Sequence, residues 1–346
     1  MSVAVVLMAA SLGLSGCKCC GGPTIHTEVC ADGHVLNEGA TPGNSGPVHP
    51  MAVQNGDCCG PSVAMIDIDG ILLDMDMTGP GSAGENPVSL FRERLDAAAD
   101  DPCTRAVVVR INTYGGGVAA CDVMRHDLEM FKNRYGVPVV AYMQGTGTGG
   151  GYYIATAADQ IVATPTTITG GIGVILNLYN IEDFLQKNDV HPALIKAGEN
   201  IDMGSPMHTA SDDQRTMLES IANQYHERFR EMVLHARPSM NRPQEEVFDG
   251  RIFTASQALQ LHMIDQIGYI DDAMQAAANM GGLSNPRVVM YHRCNDRARS
   301  VYSMTPNVPM QGEAAPMNVP ALSRSRMPTF LYMWEPEPSM EKLGGK

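Results

Sequence analysis

The sequence predicts an α/β fold on a mostly parallel sheet, and three features carry that expectation. Short runs of Val, Ile and Ala recur at strand length, stripes of helical period separate them, and glycine clusters follow two of the runs. Strands that alternate with helices pack as a parallel sheet with helices on its faces. Roughly 220 residues in the middle of the chain belong to this pattern, enough for one domain with its own core.

Taken in order, the strand candidates are residues 63–71, 106–111, 137–143, 160–163 and 193–195. Between the second and third, residues 118–135 set Cys121, Met124, Leu128 and Phe131 on one helical face. Ser211 with Gln214 is a capping-box pattern, in which side chains and backbone of the first turn satisfy each other. The helix it opens carries Met217, Ile221, Tyr225, Phe229 and Met232 as an apolar stripe, read as core, and ends before Pro238.

The glycine clusters carry the chemistry. Gly115, Gly116 and Gly117 follow a strand, and without a Cβ their N–H groups can approach a bound carbonyl closely. Donors placed in this way form an oxyanion hole; the alternative is a plain tight turn. Gly145, Gly147 and Gly150 have the spacing of a dinucleotide fingerprint. That fingerprint needs an acidic residue about 20 positions on, at the end of the next strand. The segment 160–167 supplies none, so no nucleotide cofactor is expected.

The two ends read differently from the middle. Residues 3–14 are apolar, too short for an ordinary membrane-spanning helix and suited to a signal-peptide hydrophobic region. No Lys or Arg precedes them. They end in Leu14-Ser-Gly-Cys17, similar to a bacterial lipobox, with Cys17 as the lipidation site. Residues 18–60 are rich in Gly, Pro and Asn and read as a tether. Cys19, Cys20, Cys30, Cys58 and Cys59 read as disulfides or free thiols, since their spacing to His26, His34 and His49 matches no standard zinc pattern. Cys103, Cys121 and Cys294 stand isolated. Residues 61–282 form the expected domain, and residues 283–346 a proline-broken tail, expected to be disordered. Within the tail, Phe330, Leu331, Tyr332, Met333 and Trp334 are an apolar cluster for which docking and disorder both stand open. The net charge of −14 argues against nucleic acid and against electrostatic attraction to anionic lipid.

The ordered segments Arg110-Ile-Asn-Thr-Tyr-Gly-Gly-Gly-Val118, Gly145-Thr-Gly-Thr-Gly-Gly-Gly-Tyr-Tyr153, Ile168-Thr-Gly-Gly-Ile-Gly-Val174, Ile195-Lys-Ala-Gly-Glu-Asn-Ile-Asp202 and Gly250-Arg-Ile-Phe-Thr-Ala-Ser-Gln-Ala258 carry a resemblance. Together with the strand at 63–72 they resemble the signal peptide peptidase A (protease IV) family of serine peptidases, over residues 61–278 or so. The resemblance implies a ClpP/crotonase-like fold, a superhelix of repeated ββα units in one core domain. It also implies extended peptides or signal peptides as partners, oligomers, no cofactor and no metal. The family works with a serine–lysine dyad, the lysine lowering the cost of ionising the serine hydroxyl.

Here the serine position is Gly149 and the lysine position, just before Asp202, is Ile201. Lys196 lies five positions earlier, an odd offset that on an extended segment faces the other way. Thr148 is the fallback nucleophile, with Thr146 beside it. Gly115, Gly116, Gly117 and Gly150 remain as the oxyanion and peptide-binding set. The expectation is therefore a non-catalytic peptide-binding or scaffolding homologue, lipid-anchored in a bacterial envelope, as a homo-oligomer or assembled with an active relative. The rivals are an active endopeptidase of that family and a crotonase-like acyl-thioester enzyme, which shares the glycine-built oxyanion hole.

Overall fold

The computed structural model describes residues 47–54, 60–76, 85–240, 245–293, 300–303 and 330–334. Cys17, the signal segment and the N-terminal cysteines lie outside these residues. In chain order the elements begin with β1 (His49–Gln54), β2 (Ser62–Leu72), α1 (Pro87–Asp100), β3 (Thr104–Gly117), α2 (Val118–Tyr135), β4 (Val139–Thr148) and α3 (Gly150–Ala155). Four strands and helices of modest length follow, β5 (Gln160–Ala163), β6 (Ile168–Gly170), β7 (Ile175–Leu176) and α4 (Glu182–Lys187), and then the long α5 (Asp212–Ala236). The chain continues through β8 (Ile252–Thr254), α6 (Ala255–Gln260), β9 (Gln266–Ile267), α7 (Ile270–Met280), β10 (Arg287–His292) and β11 (Phe330–Met333).

The main sheet runs β1-β10-β2-β3-β4-β5-β9, parallel at every step except the antiparallel β1–β10 edge. Residues alternate across it with strand period. Ala64, Ile66, Ile68, Val107, Val109, Ile111, Val139, Ala141 and Met143 enter the larger core with α1, α2 and α3. Val63, Met65, Ala106, Val108, Val140 and Tyr142 face α7 in the smaller one. Both faces are covered, which is why these strands read as continuous apolar runs. Local signals set the boundaries. Asn86 caps α1, Ser211 and Gln214 close the expected capping box on α5, and Gly136 ends α2 in a left-handed conformation.

Several expectations need correction. The tether and the tail both contribute to the sheet: β1 falls inside residues 18–60, and β10 and β11 fall inside 283–346. The apolar cluster at 330–334 is docked, with Leu331 and Tyr332 buried. Residues 193–195 are not a strand; Pro192 removes a donor beside them, and Leu194 and Ile195 stand exposed. The α5 stripe is only partly core, since Phe229 is buried but Met217 is exposed and Ile221, Tyr225 and Met232 are half-buried. Cys103 is disulfide-bonded rather than isolated. Its partner lies outside the described residues, because the only other described cysteine, Cys121, is free.

One polar feature inside the fold escaped the sequence reading. Asp67 and Arg110 sit opposite each other on β2 and β3, and the guanidinium grips the carboxylate with two bonds of 2.7 and 2.8 Å. The Arg110 and Asp67 side chains are 2% and 3% exposed. Arg110 also donates to the carbonyls of Val301 and Ser303, both at 2.6 Å. Four of its five N–H donors are thus engaged, and a buried charge requires such partners. Arg110→Ala would strand Asp67 and release residues 301–303. The expected loss is about 3–5 kcal/mol in urea unfolding, and a loss under about 1 kcal/mol would contradict the pair's structural role.

Candidate active site

At the C-terminal end of β3, the strand loses its neighbour. Pairing with β4 stops at Thr113 with Gly147, because β4 turns away toward β6. From Gly115, two residues later, β11 fills the vacated edge. Leu331, Tyr332 and Met333 pair antiparallel with Gly117, Gly116 and Gly115, while Phe330 and Leu331 pair on the other side with Leu176 and Ile175 of β7. The N–H of Trp334 donates to the Tyr114 carbonyl at 3.1 Å. Hydrogen-bonded pairs recur every second residue in an antiparallel ladder, so Tyr332 opposite Gly116 falls at the next such step. The result is a slot between β3 and β7, one strand wide.

The slot exists because side chains are missing. A Cβ on Gly115 or on Gly149 would collide with the carbonyl oxygen of Tyr332. A Cβ on Gly149 would also come within 2.8 Å of the Tyr332 carbonyl carbon, and one on Gly150 within 3.3 Å of its oxygen. Gly116 has β2 against it, with Leu72 in the place of a side chain. Gly117, by contrast, has ordinary room, its nearest neighbour 3.7 Å away, and serves as the start of α2. Backbone bonds hold the glycines in place. The N–H of Gly115 donates to the Thr113 hydroxyl at 2.9 Å, and that hydroxyl donates to the Gly70 carbonyl. The N–H of Gly149 donates to the Gly170 carbonyl at 2.9 Å.

Gly149 is buried between β4 and α3 with φ 51° and ψ −118°. Only glycine adopts such a conformation without strain. A sharp strand-to-helix turn is how many hydrolases expose a nucleophile, and this one is aimed at the Tyr332 carbonyl with no side chain to aim. Thr148 is fully buried, and its hydroxyl donates to the Tyr114 carbonyl at 3.3 Å. Ile201 sits on a turn with 73% of its surface exposed, so it is not packed into the glycine slot. Lys196 is drawn to Asp202, at 2.9 Å from both carboxylate oxygens. The structure therefore brings Gly115, Gly149 and Gly150 together on the Tyr332 carbonyl, with Gly116 paired to Tyr332 beside them, and leaves Ile201 and Lys196 elsewhere. Among the described residues no group of three His, Cys, Asp or Glu is placed to hold a metal.

The sequence reading missed the walls of the site. Tyr332 is fully buried between Tyr153 and Phe229, with ring centroids 5.0 and 4.7 Å away, and its hydroxyl donates to the Tyr225 carbonyl at 2.7 Å. Tyr153 in turn donates to Asp122 at 2.6 Å, and Arg228 of α5 grips the same carboxylate at 2.8 Å. Burial pushes the phenols of Tyr153 and Tyr332 up, so both remain proton donors. The helical spacing of Tyr225 and Phe229 was legible, but not which side of α5 closes over the slot.

The signature of Peptidase family S49 matches residues 132–284, from the end of α2 through α7 and including the Gly149 turn. A putative signal peptide peptidase SppA of Enterococcus faecium is 28% identical over 229 residues, which cover 66% of this chain and 66% of that protein. Protease 4 of Salmonella typhi is 31% identical over 224 residues, covering 65% of this chain but 35% of that protein. A putative protease of Synechocystis is 34% identical over 183 residues, 53% of this chain and 65% of its own. The chain thus spans two thirds or less of the curated relatives it matches. Among solved structures, a mutant of the 1510-N membrane-bound stomatin-specific protease superposes with a TM-score of 0.42 at 15% identity, covering 67% of this chain and 98% of that one.

The Asp122 clamp makes a pH prediction. Burial raises this carboxyl's pKa, but the bonds from Tyr153 and Arg228 outweigh it and hold the group below its ordinary 3.8. A depressed folded-state value means the clamp's stabilisation is complete above the unfolded value and is lost as pH falls through the folded one. Melting temperature followed between pH 2.5 and 6 is expected to fall more steeply for the wild type than for Asp122→Asn. Parallel acid limbs for the two proteins would contradict the clamp.

Proposed function

We propose that the chain is a non-catalytic, peptide-binding member of peptidase family S49, the signal peptide peptidase A family. The single observation that carries this reading is the slot itself: four glycines receive an extended backbone, while the turn aimed at its carbonyl ends in Gly149. Gly149 stands where the nucleophile would be and Ile201 where its base would be. A hydroxyl needs a neighbouring base to attack a peptide, and neither partner is present. Thr148 does not replace them, since its hydroxyl is committed to a backbone carbonyl beneath the slot.

Gly115, Gly116 and Gly150 would still serve as the peptide-binding and oxyanion elements. An oxyanion hole without its nucleophile retains only about a thousandfold acceleration over water, far from a working protease. The rival, an active endopeptidase, would need a nucleophile from elsewhere. A crotonase-like thioester enzyme would need a site for a large acyl carrier, and the narrow slot between two strand edges favours a peptide instead.

The proposal extends to location and assembly. Cys17 would carry a lipid that holds the protein to a bacterial envelope membrane, and no helix among the described residues is long and apolar enough to cross one. The arm from β7 to α5 exposes Leu178, Phe184, Leu194, Ile195 and Ile201, with Ile195 wholly uncovered. Apolar exposure on that scale fits an interface, either with further copies or with an active relative.

Two experiments test this. Purified folded protein, incubated with a panel of signal-peptide sequences, is expected to bind them and return them whole by mass spectrometry. Cleavage by the unaltered chain would sink the non-catalytic reading. Separately, the detergent-extracted protein should run larger than a monomer by light scattering, and Cys17→Ser should move it from the membrane to the soluble fraction. A monomer, or unchanged membrane association, would remove the corresponding part of the proposal.

A further inference from the structure

Between β7 and α5 the chain leaves the sheet and forms an arm with almost no interior. Of residues 177–210 only Gly204 is buried. Burial therefore does little to shape this segment, and its polar contacts decide its form. The N–H of Ile181 donates to the Pro206 carbonyl at 2.8 Å, and the Glu182 carboxylate accepts from the Thr209 N–H and hydroxyl at 2.7 and 2.8 Å. These bonds join the start of α4 to the stretch before α5. The remaining tie is charged. Asp202 takes Lys196 at 2.9 Å on both carboxylate oxygens and lies 3.0 Å from Nε2 of His208. Ile195 precedes Lys196, Ile201 precedes Asp202 and Met207 precedes His208, and all three apolar side chains are exposed. The charged cluster thus sets these three side chains relative to one another.

His208 is placed in a way that calls for two protons. Its Nδ1 lies 3.3 Å from the Thr209 carbonyl and its Nε2 faces the Asp202 carboxylate, and both of those groups only accept. A neutral ring has one N–H, so it turns a lone pair on one of the two oxygens; the imidazolium satisfies both. The acids around it keep their charge. The bond from Lys196, with the charges of Lys196 and His208 behind it, holds the Asp202 carboxyl below its ordinary 3.8. The bonds from Thr209, with a smaller contribution from His208, hold Glu182 below its ordinary 4.5. Asp202, Glu182 and Lys196 are the charges that face the ring, and histidine is the side chain that ordinarily changes charge between about pH 5 and 8. The arm's other histidine, His191, pairs with Asp189 at 3.1 Å in open solvent, where such a pair contributes little.

We propose that Lys196, Asp202 and His208 form a pH-sensitive latch of the arm, closed while His208 carries both protons and loosened when it loses one. Partners that favour the protonated ring stabilise the arm while that proton is present and release it as pH rises. The latch stands on the arm's own geometry. Its consequence rests on the reading of the arm as an interface: assembly through Ile195, Ile201 and Met207 weakens as pH rises.

The test follows hydrogen exchange of the full-length protein by mass spectrometry at pH 5.5 and 8.0, for the wild type, His208→Arg and His208→Gln. Comparing proteins at one pH cancels the intrinsic pH dependence of exchange. Residues 196–210 of the wild type are expected to match His208→Arg, whose cation is permanent, at pH 5.5. At pH 8.0 they are expected to exchange about two- to fivefold faster than in that variant and to match His208→Gln. A single ratio of wild type to His208→Arg at both pH values would overturn the latch. The wild type by itself covers a variant that does not fold: protection of residues 196–210, corrected for intrinsic rates, should fall between pH 5.5 and 8.0 while that of β3 holds, and constant protection would overturn the proposal. Light scattering on the same detergent-extracted samples reads assembly. A mass that falls with pH in the wild type but not in His208→Arg supports the coupling. A constant oligomer mass beside pH-dependent protection would overturn the coupling and keep the latch, and a monomer at both pH values would overturn the interface reading instead.

Discussion

The close approach of backbone to backbone at the end of β3 is the constraint on which the site depends. Gly115, Gly116, Gly149 and Gly150 each occupy a place where a Cβ would meet another main chain or a neighbouring side chain. Their absence of side chains lets β11 lie between β3 and β7 with its central carbonyl against the Gly149 turn. A residue larger than glycine at Gly115 would close the slot, and one at Gly149 would also carry a positive φ that most side chains oppose. Glycine at this one stretch thus decides what fits.

Everything around the slot serves to fix those glycines. The parallel sheet holds β3 and β4 side by side up to Thr113 and Gly147, and only then lets them part. The Thr113 hydroxyl bridges Gly70 and Gly115, tying the end of β2 to the turn. The wall opposite is built by α2, α3 and α5 around the Tyr153, Phe229 and Tyr332 rings, and Asp122 joins the three helices through Tyr153 and Arg228. Further back, Asp67 and Arg110 hold residues 301–303 to the sheet on the α7 side. These are directional, charge-assisted contacts in a protein whose strands otherwise rely on non-directional burial.

Binding an extended chain needs unpaired edges and room for main-chain atoms. Cleaving it needs a nucleophile and a base within hydrogen-bond reach of one another. Here the first requirement is met in detail, while Gly149 supplies no nucleophile and Ile201 faces solvent.

Much of this was legible in the chain before any coordinates. Apolar runs of strand length marked β2, β3, β4 and β5, a helical stripe set α2 to the residue, and Ser211 with Gln214 announced the start of α5. The glycine runs were recognisable as places of close approach, because only a missing Cβ permits such contacts. What the sequence could not show was which distant segments meet there. Residues 330–334 carry no strong local signal, and their pairing with Gly115, Gly116 and Gly117 depends on an edge that exists only after β3 and β4 have diverged. The same holds for β1, β10 and the Asp67–Arg110 pair, all of which join positions far apart in the chain. Local propensity and periodicity are properties of neighbours along the chain, so they determined the elements and the glycine turns. The tertiary structure alone decided that the tail would lie in the slot, with Tyr332 in its pocket.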